Sequence, residues 1–255
     1  VVSAAGGSIV LVVAGGNLVL NDGTAADDNV SVSAGGGGNV LLQTLAGNIL
    51  ADEDVRSVSG SISVLASDSV TFTAGADIRT GGAGVIVVTA DTGSITQADT
   101  SLFITSTGNI TLIADDDVTL GGASPGGDMS ITATTGAILD GGDTYVDVVG
   151  NQLTLVAADG VASIETTVAT LIAHVTDVGA LIINETDAIV LSDVDTANGP
   201  ITVNAGGQVT ATDVVSLTDS DTNDISITTT VGGIIAGIIN AGVLGDINLT
   251  AFTTV

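Results

Sequence analysis

The acidic side chains of this chain are its main candidates for chemistry. Asp193 and Asp195 lie in the segment SDVDTANG. Asp219, Asp221 and Asp224 lie in the segment TDSDTND. Ca²⁺ takes about six to eight oxygen ligands, so each segment would supply two or three, with backbone, water or a neighbouring segment supplying the rest. These five aspartates are therefore candidate Ca²⁺ ligands, and diffuse screening of solvated carboxylates is the alternative.

Catalytic groups are sparse. The acidic triplet at residues 115–117 could hold the general acid and base of a polysaccharide-processing enzyme, since glycosidases use two carboxylates. A solvated turn explains the same residues. His174 is the only histidine and the chain has no cysteine, so a conventional zinc site is not predicted and we expect a partly exposed strand residue. We predict a protein that is not an enzyme and requires no cofactor.

The net charge and the apolar runs of the chain limit the partners that it can bind. The formal net charge is -27, with 29 acidic residues against two basic ones. Nucleic acid is therefore excluded as a partner, because its recognition needs a positive surface. No apolar run approaches the roughly 18 to 20 residues that span a bilayer, so we also expect no direct membrane insertion.

A recurring phrase of glycine, a polar residue and alternating apolar residues organises the chain. The first apolar residues of its copies are Ile9, Val40, Ile62, Ile86, Ile110, Met129, Leu153, Leu181, Ile201, Ile225 and Ile247. The average interval between them is about 24 residues, a period typical of repeat architectures in which successive units stack on one another.

Within each repeat, apolar and polar residues alternate as they do in short strands. A single coil of this length cannot bury its own inward side chains, but stacking coils about 4.8 Å apart pairs the strands and aligns equivalent residues. A β-sandwich also has short alternating strands but does not explain the return of one phrase in register. The expected core ladders consist of Ile62, Ile86 and Ile110, and of Val64, Val88 and Leu112.

We therefore predict an all-β fold, a right-handed parallel β-helix (β-solenoid) of about 11 coils of about 24 residues each. Residues 1–255 are expected to form one segment of a longer protein. Two intervals are longer than the rest. They contain residues 21–29 and residues 165–175, and each is either a lateral protrusion or simply a longer coil.

Residues 108–120 (GNITLIADDDVTL), 60–72 (GSISVLASDSVTF) and 16–23 (GNLVLNDG) resemble the repeat regions of giant bacterial surface proteins. The resemblance is to filamentous haemagglutinin-type adhesins and related β-strand-repeat proteins. It implies an extracellular, cell-surface location and a structural role as the shaft of a fibre or adhesin. A calcium-dependent surface binding module remains the alternative. The expected partners are a surface glycan, a cell-surface receptor, or other copies through end-to-end or lateral self-association.

Overall fold

The computed structural model describes residues 1–21, 29–142 and 145–252. These residues form 27 strands and no helix, and within them no helix is long and apolar enough to cross a membrane. Contacts divide them into two compact units, of residues 1–130 with 141–142 and of residues 131–140 with 145–252. Each unit consists of parallel stacked coils, about ten turns in all. The predicted all-β solenoid is confirmed.

The first unit has three short strands per turn. Its strands are β1 (Val2–Ser3), β2 (Ile9–Val13), β3 (Leu18–Leu20), β4 (Val30–Ala34), β5 (Val40–Thr44), β6 (Ile49–Ala51), β7 (Asp54–Ser57), β8 (Ile62–Ala66), β9 (Val70–Phe72), β10 (Ile78–Thr80), β11 (Ile86–Ala90), β12 (Ile95–Gln97), β13 (Phe103–Thr105), β14 (Ile110–Ala114), β15 (Val118–Leu120) and β16 (Ala123–Ser124). The next strand, β17 (Met129–Ala133), contains residues of both units.

Inward side chains of the first unit form continuous aliphatic ladders. Strands β8, β11 and β14 pair in register, so that Ile62, Ile86 and Ile110 are adjacent. Val64, Val88 and Leu112 form the next row of the same sheet, and all six residues are fully buried. Each such side chain contributes roughly 1.5–3 kcal/mol through its removal from water. These ladders join one coil to the next.

Two aromatic residues also lie in the core of the first unit. Phe72 of β9 and Phe103 of β13 are each 1% exposed or less. Their ring centroids are 4.8 Å apart with an interplanar angle of 78°, which is the favourable edge-to-face arrangement. Both rings therefore point into the core.

Glycine opens the repeated phrase because the coils approach each other most closely there. A Cβ atom added to Gly84 would overlap the carbonyl oxygen of Gly60, and one added to Gly108 would overlap that of Gly84. The buried Thr80 hydroxyl donates a hydrogen bond to the Gly60 carbonyl oxygen at 2.5 Å. The corner therefore has room for backbone alone.

The second unit has two strands per turn, one short and one long. Its strands are β18 (Ile138–Asp140), β19 (Val148–Ala157), β20 (Val161–Val178), β21 (Leu181–Glu185), β22 (Ile189–Asn198), β23 (Ile201–Ala205), β24 (Val209–Ser216), β25 (Ile225–Thr229), β26 (Ile234–Asn240) and β27 (Ile247–Ala251). In β20 the short and long strands are continuous, and its first and last parts pair with different strands of the next turn.

The sequence analysis placed Leu153 and Leu181 at equivalent positions of successive coils, and this prediction was wrong. Leu153 pairs with Leu171, and Leu171 with Leu191, along the long strands. Leu181 instead pairs with Val161 and with Ile201, along the short strands. The short and the long strands both alternate apolar and polar residues. The predicted series of equivalent residues therefore passed from a long strand at Leu153 to the short strands from Leu181 onward.

The two long intervals have different outcomes. Residues 165–175 lie within β20 and pair with β19 on one side and with β21 and β22 on the other. The alternative of a lateral protrusion is therefore wrong for this interval, because a protruding segment would leave the sheet. Residues 21–29 lie for the most part outside the described residues.

Candidate functional site

Both arginines of the chain are paired with aspartates in the first unit. Arg56 donates to Asp54 through Nε at 2.9 Å, and Arg79 donates to Asp77 through Nε at 3.0 Å. Arg56 and Arg79 are themselves neighbours across β7 and β10. The second unit has no lysine or arginine in its sequence, so its carboxylates have no basic side chain of that kind within the unit.

His174 and two aspartates form a mixed nitrogen and oxygen cluster in the second unit. His174 of β20 is directly paired with Asp195 of β22, and His174 Nδ1 lies 2.8 Å from Asp195 Oδ2. One ligand atom each of His174, Asp193 and Asp195 lies within 4.8 Å of the others. The side chains of His174 and Asp195 are 29% and 28% exposed, so the cluster is accessible to solutes. The predicted partly exposed strand position of His174 is confirmed.

A β-bulge brings both aspartates to the outer face. Leu171 pairs with Leu191 but Ile172 pairs with Asp193, so Ser192 is an extra residue in β22. Strand side chains alternate between faces, and one inserted residue reverses that alternation. Val194 is buried as a result, while Asp193 and Asp195 on either side of it point outward.

Sequence reasoning identified Asp193 and Asp195 but not their histidine neighbour. His174 and Asp195 are 21 positions apart, and only coil stacking brings them together. The interval of 20 between Leu181 and Ile201 was the available signal, because a coil of that length places residue 174 close to residues 194 and 195. The average interval of the whole chain is longer, and it does not place His174 beside Asp195.

A second cluster in the same unit contains carboxylates only. Oxygen atoms of Asp140, Asp147 and Glu165 lie within 4.8 Å of one another, and Asp147 is 1% exposed. Asp147 Oδ2 accepts a hydrogen bond from the Glu165 backbone N–H at 2.8 Å. Glu165 Oε1 accepts from Asn184 Nδ2 at 3.1 Å, whereas Glu165 Oε2 is buried without a hydrogen-bond partner. Carboxylates this close repel one another when they are ionised.

Glu185 is a buried acid whose carboxylate accepts hydrogen bonds from the neighbouring strand β20 and from the residues that follow β21. It is 4% exposed. Its Oε2 accepts hydrogen bonds from Thr166 Oγ1 at 2.8 Å and from the Val168 N–H at 3.1 Å, and its Oε1 accepts from the Asp187 N–H at 3.2 Å. Burial raises the pKa of the Glu185 carboxyl, and the donated hydrogen bonds only partly oppose that shift. Its role is to satisfy backbone and hydroxyl donors between coils.

Two of the three remaining predicted calcium ligands, Asp219 and Asp224, accept hydrogen bonds from the next coil. Asp219 Oδ1 accepts from the backbone N–H groups of Val243 and Leu244, both at 2.7 Å. Asp224 Oδ1 accepts from the backbone N–H of Asp246 at 2.9 Å. Among the described residues, the carboxylates of Asp219, Asp221 and Asp224 do not form a cluster within 4.8 Å.

The acidic triplet at residues 115–117 forms a corner between β14 and β15. The backbone N–H groups of Asp115 and Asp116 donate to carbonyl oxygens of the preceding coil, at 3.1 and 3.2 Å. Asp116 Oδ2 also accepts from the Ser94 hydroxyl at 3.2 Å. These contacts agree with the turn alternative of the sequence interpretation.

Comparison with known proteins yields no relative. No family model matches the chain, and neither a curated protein nor a solved structure is similar to it at a significant level. The fold therefore defines the class, a parallel β-solenoid, and function has to be argued from the residues.

Proposed function

We propose that this chain is a non-enzymatic structural protein, a shaft segment of an extracellular bacterial fibre or adhesin. The observation that carries the proposal is the coil-to-coil pairing within each unit. Every coil of the ladder Ile62, Ile86 and Ile110 is joined to the next by parallel backbone hydrogen bonds and by buried aliphatic contacts. Such stacking resists the separation of neighbouring coils, which is the property that a shaft requires.

Surface charge supports an exposed location. The net charge of -27 keeps such chains soluble. The two arginines are paired with aspartates, so no unpaired arginine opposes this field. The resemblance of the repeated phrases to surface adhesin repeats points to the same location.

One cavity of the second unit lacks the groups that the polysaccharide-processing alternative requires. A cavity of about 400 Å³ in the second unit contains no ionisable side chain that could act as an acid or a base. Its lining consists of Val178, Gly179, Ala180, Asn198, Gly199, Pro200, Thr222 and Asn223. Paired carboxylates across a groove, which glycoside hydrolysis requires, are not found there.

Immunogold electron microscopy on intact cells of the source organism tests the proposal. An antibody raised against this chain should label thin rods or fibres outside the cell. Label confined to the cell interior would overturn the proposal. Glycan hydrolysis by the purified chain that Asp116→Asn abolishes would favour the enzyme instead.

A further inference from the structure

We propose that His174, Asp193 and Asp195 form a binding site for a divalent first-row transition metal ion, of which Zn²⁺ is the representative. The site goes beyond the structural role and does not depend on it. It rests on three side chains that two successive turns of the second unit bring to one outer face. One ligand atom from each lies within 4.8 Å of the others.

The donor set selects the class of metal. Ca²⁺ and Mg²⁺ prefer oxygen ligands alone. An imidazole nitrogen with two carboxylate oxygens suits zinc and its neighbours in the first transition row. His174 therefore changes the expected ion from the Ca²⁺ that Asp193 and Asp195 alone indicate. Three protein ligands leave further coordination positions to water.

The arrangement of the side chains favours binding. His174 Nδ1 and Asp195 Oδ2 are 2.8 Å apart and share a hydrogen bond. A metal ion bound by both atoms would take the place of the shared proton, which is released to solvent, and the ring and the carboxylate are already adjacent before binding. Groups that are fixed before binding lose less conformational entropy when a ligand arrives. The bulge at Ser192 adds Asp193 to the same face.

Local charge also favours a cation. Leu191 pairs with Ala211 and Val194 pairs with Val214, so Asp213 lies beside Asp193 in the next strand. Asp213 Oδ1 is buried without a hydrogen-bond partner. The second unit supplies no lysine or arginine to neutralise these carboxylates. The negative field of these neighbouring acidic side chains attracts a cation to this face.

A bound ion would join two turns of the solenoid. His174 belongs to β20 and the two aspartates belong to β22, so the metal would link neighbouring strands from outside the core. Binding to the folded state alone raises the melting temperature of the chain. Zn²⁺ should therefore stabilise the protein through this site.

Nuclear magnetic resonance of the full chain during titration with ZnCl₂ tests the site directly. His174 is the only histidine, so its imidazole signals need no assignment. We expect them to shift with one equivalent of Zn²⁺ and to remain unchanged with the same concentration of Ca²⁺. Unchanged imidazole signals at saturating Zn²⁺ would overturn the proposal, and this measurement requires no variant.

Calorimetric titration of three variants separates the site from general charge screening. His174→Gln and Asp195→Asn should each weaken Zn²⁺ binding at least tenfold. Asp177→Asn is the matched control, because Asp177 is an exposed residue of the same strand, β20. The affinity of this variant for Zn²⁺ should differ from that of the wild type by less than twofold. Equal affinity in all three variants would show diffuse counterion binding only and would reject the site.

Discussion

Gly108 lies so close to Gly84 in the preceding coil that a Cβ atom on Gly108 would overlap the Gly84 carbonyl oxygen. Gly84 has the same relationship with Gly60. The close approach of these corners positions the flanking strands at pairing distance. The corner glycines are therefore as much a part of the stacking as the buried aliphatic residues.

Substitution of a corner glycine should destabilise the first unit. We expect Gly108→Ala to lower the free energy of unfolding by about 1–3 kcal/mol, since overpacking forces the backbone apart. Gly15→Ala is the matched control, because no atom lies within 4 Å of a Cβ at Gly15 and its φ is not positive. Urea unfolding measures both. Equal losses in the two variants would contradict the account of the corner.

Truncation of a ladder residue should cost more than truncation of its neighbour. Ile110 is fully buried and Thr111 points outward on β14. We expect Ile110→Ala to lower the free energy of unfolding by about 2–5 kcal/mol through lost burial and a residual cavity. Thr111→Ala should change it by less than about 0.5 kcal/mol. Similar effects for both variants would show that the inward assignment is incorrect.

The alternation of Ile62 and Val64 with polar residues was sufficient to predict inward positions, since a strand has only two faces. The error at Leu153 and Leu181 has a related cause. The short and the long strands of a coil have the same alternation, and the sequence alone does not distinguish the two kinds of strand. The cluster around His174 depends on a coil that is shorter than the average repeat and on a bulge at Ser192. The bulge interrupts the alternation with two consecutive polar residues, Ser192 and Asp193, but only the pairing with β20 shows which strand residues it brings together.

The pH dependence of stability should contain a contribution from Glu185. Burial raises the pKa of this carboxyl above its usual 4.5, so the folded state holds the proton more tightly than the unfolded state does. Stability from this group is present below pH 4.5 and is lost as the pH rises through the raised value. Glu185→Gln removes this contribution.

Urea unfolding of the wild type and of Glu185→Gln at a series of pH values isolates the contribution of Glu185. The difference in free energy between the two proteins should move in favour of the variant as the pH rises above 4.5. Asp91→Asn, a substitution at an exposed corner of the other unit, corrects for the loss of one carboxyl group. A difference that stays constant across the series would refute the assignment.

Removal of one charge from the cluster of Asp140, Asp147 and Glu165 should stabilise the second unit. Glu165→Gln relieves repulsion among these carboxylates, and its amide can donate to the neighbouring oxygens. We expect a gain of about 0.5–1.5 kcal/mol in the free energy of unfolding. Asp147→Ala should instead lose about 1–3 kcal/mol, because the Glu165 N–H loses its acceptor. Differential scanning calorimetry distinguishes the two signs.

Single-molecule force spectroscopy tests the structural role most directly. The chain is stretched between its ends, so that coils separate one after another. A coil of about 20 to 24 residues extends to about 70–85 Å when it is released. The account predicts a series of steps of that length, each requiring a clear rise in force. Release of the whole chain in one step at negligible force would contradict a stack of coils that resists mechanical separation.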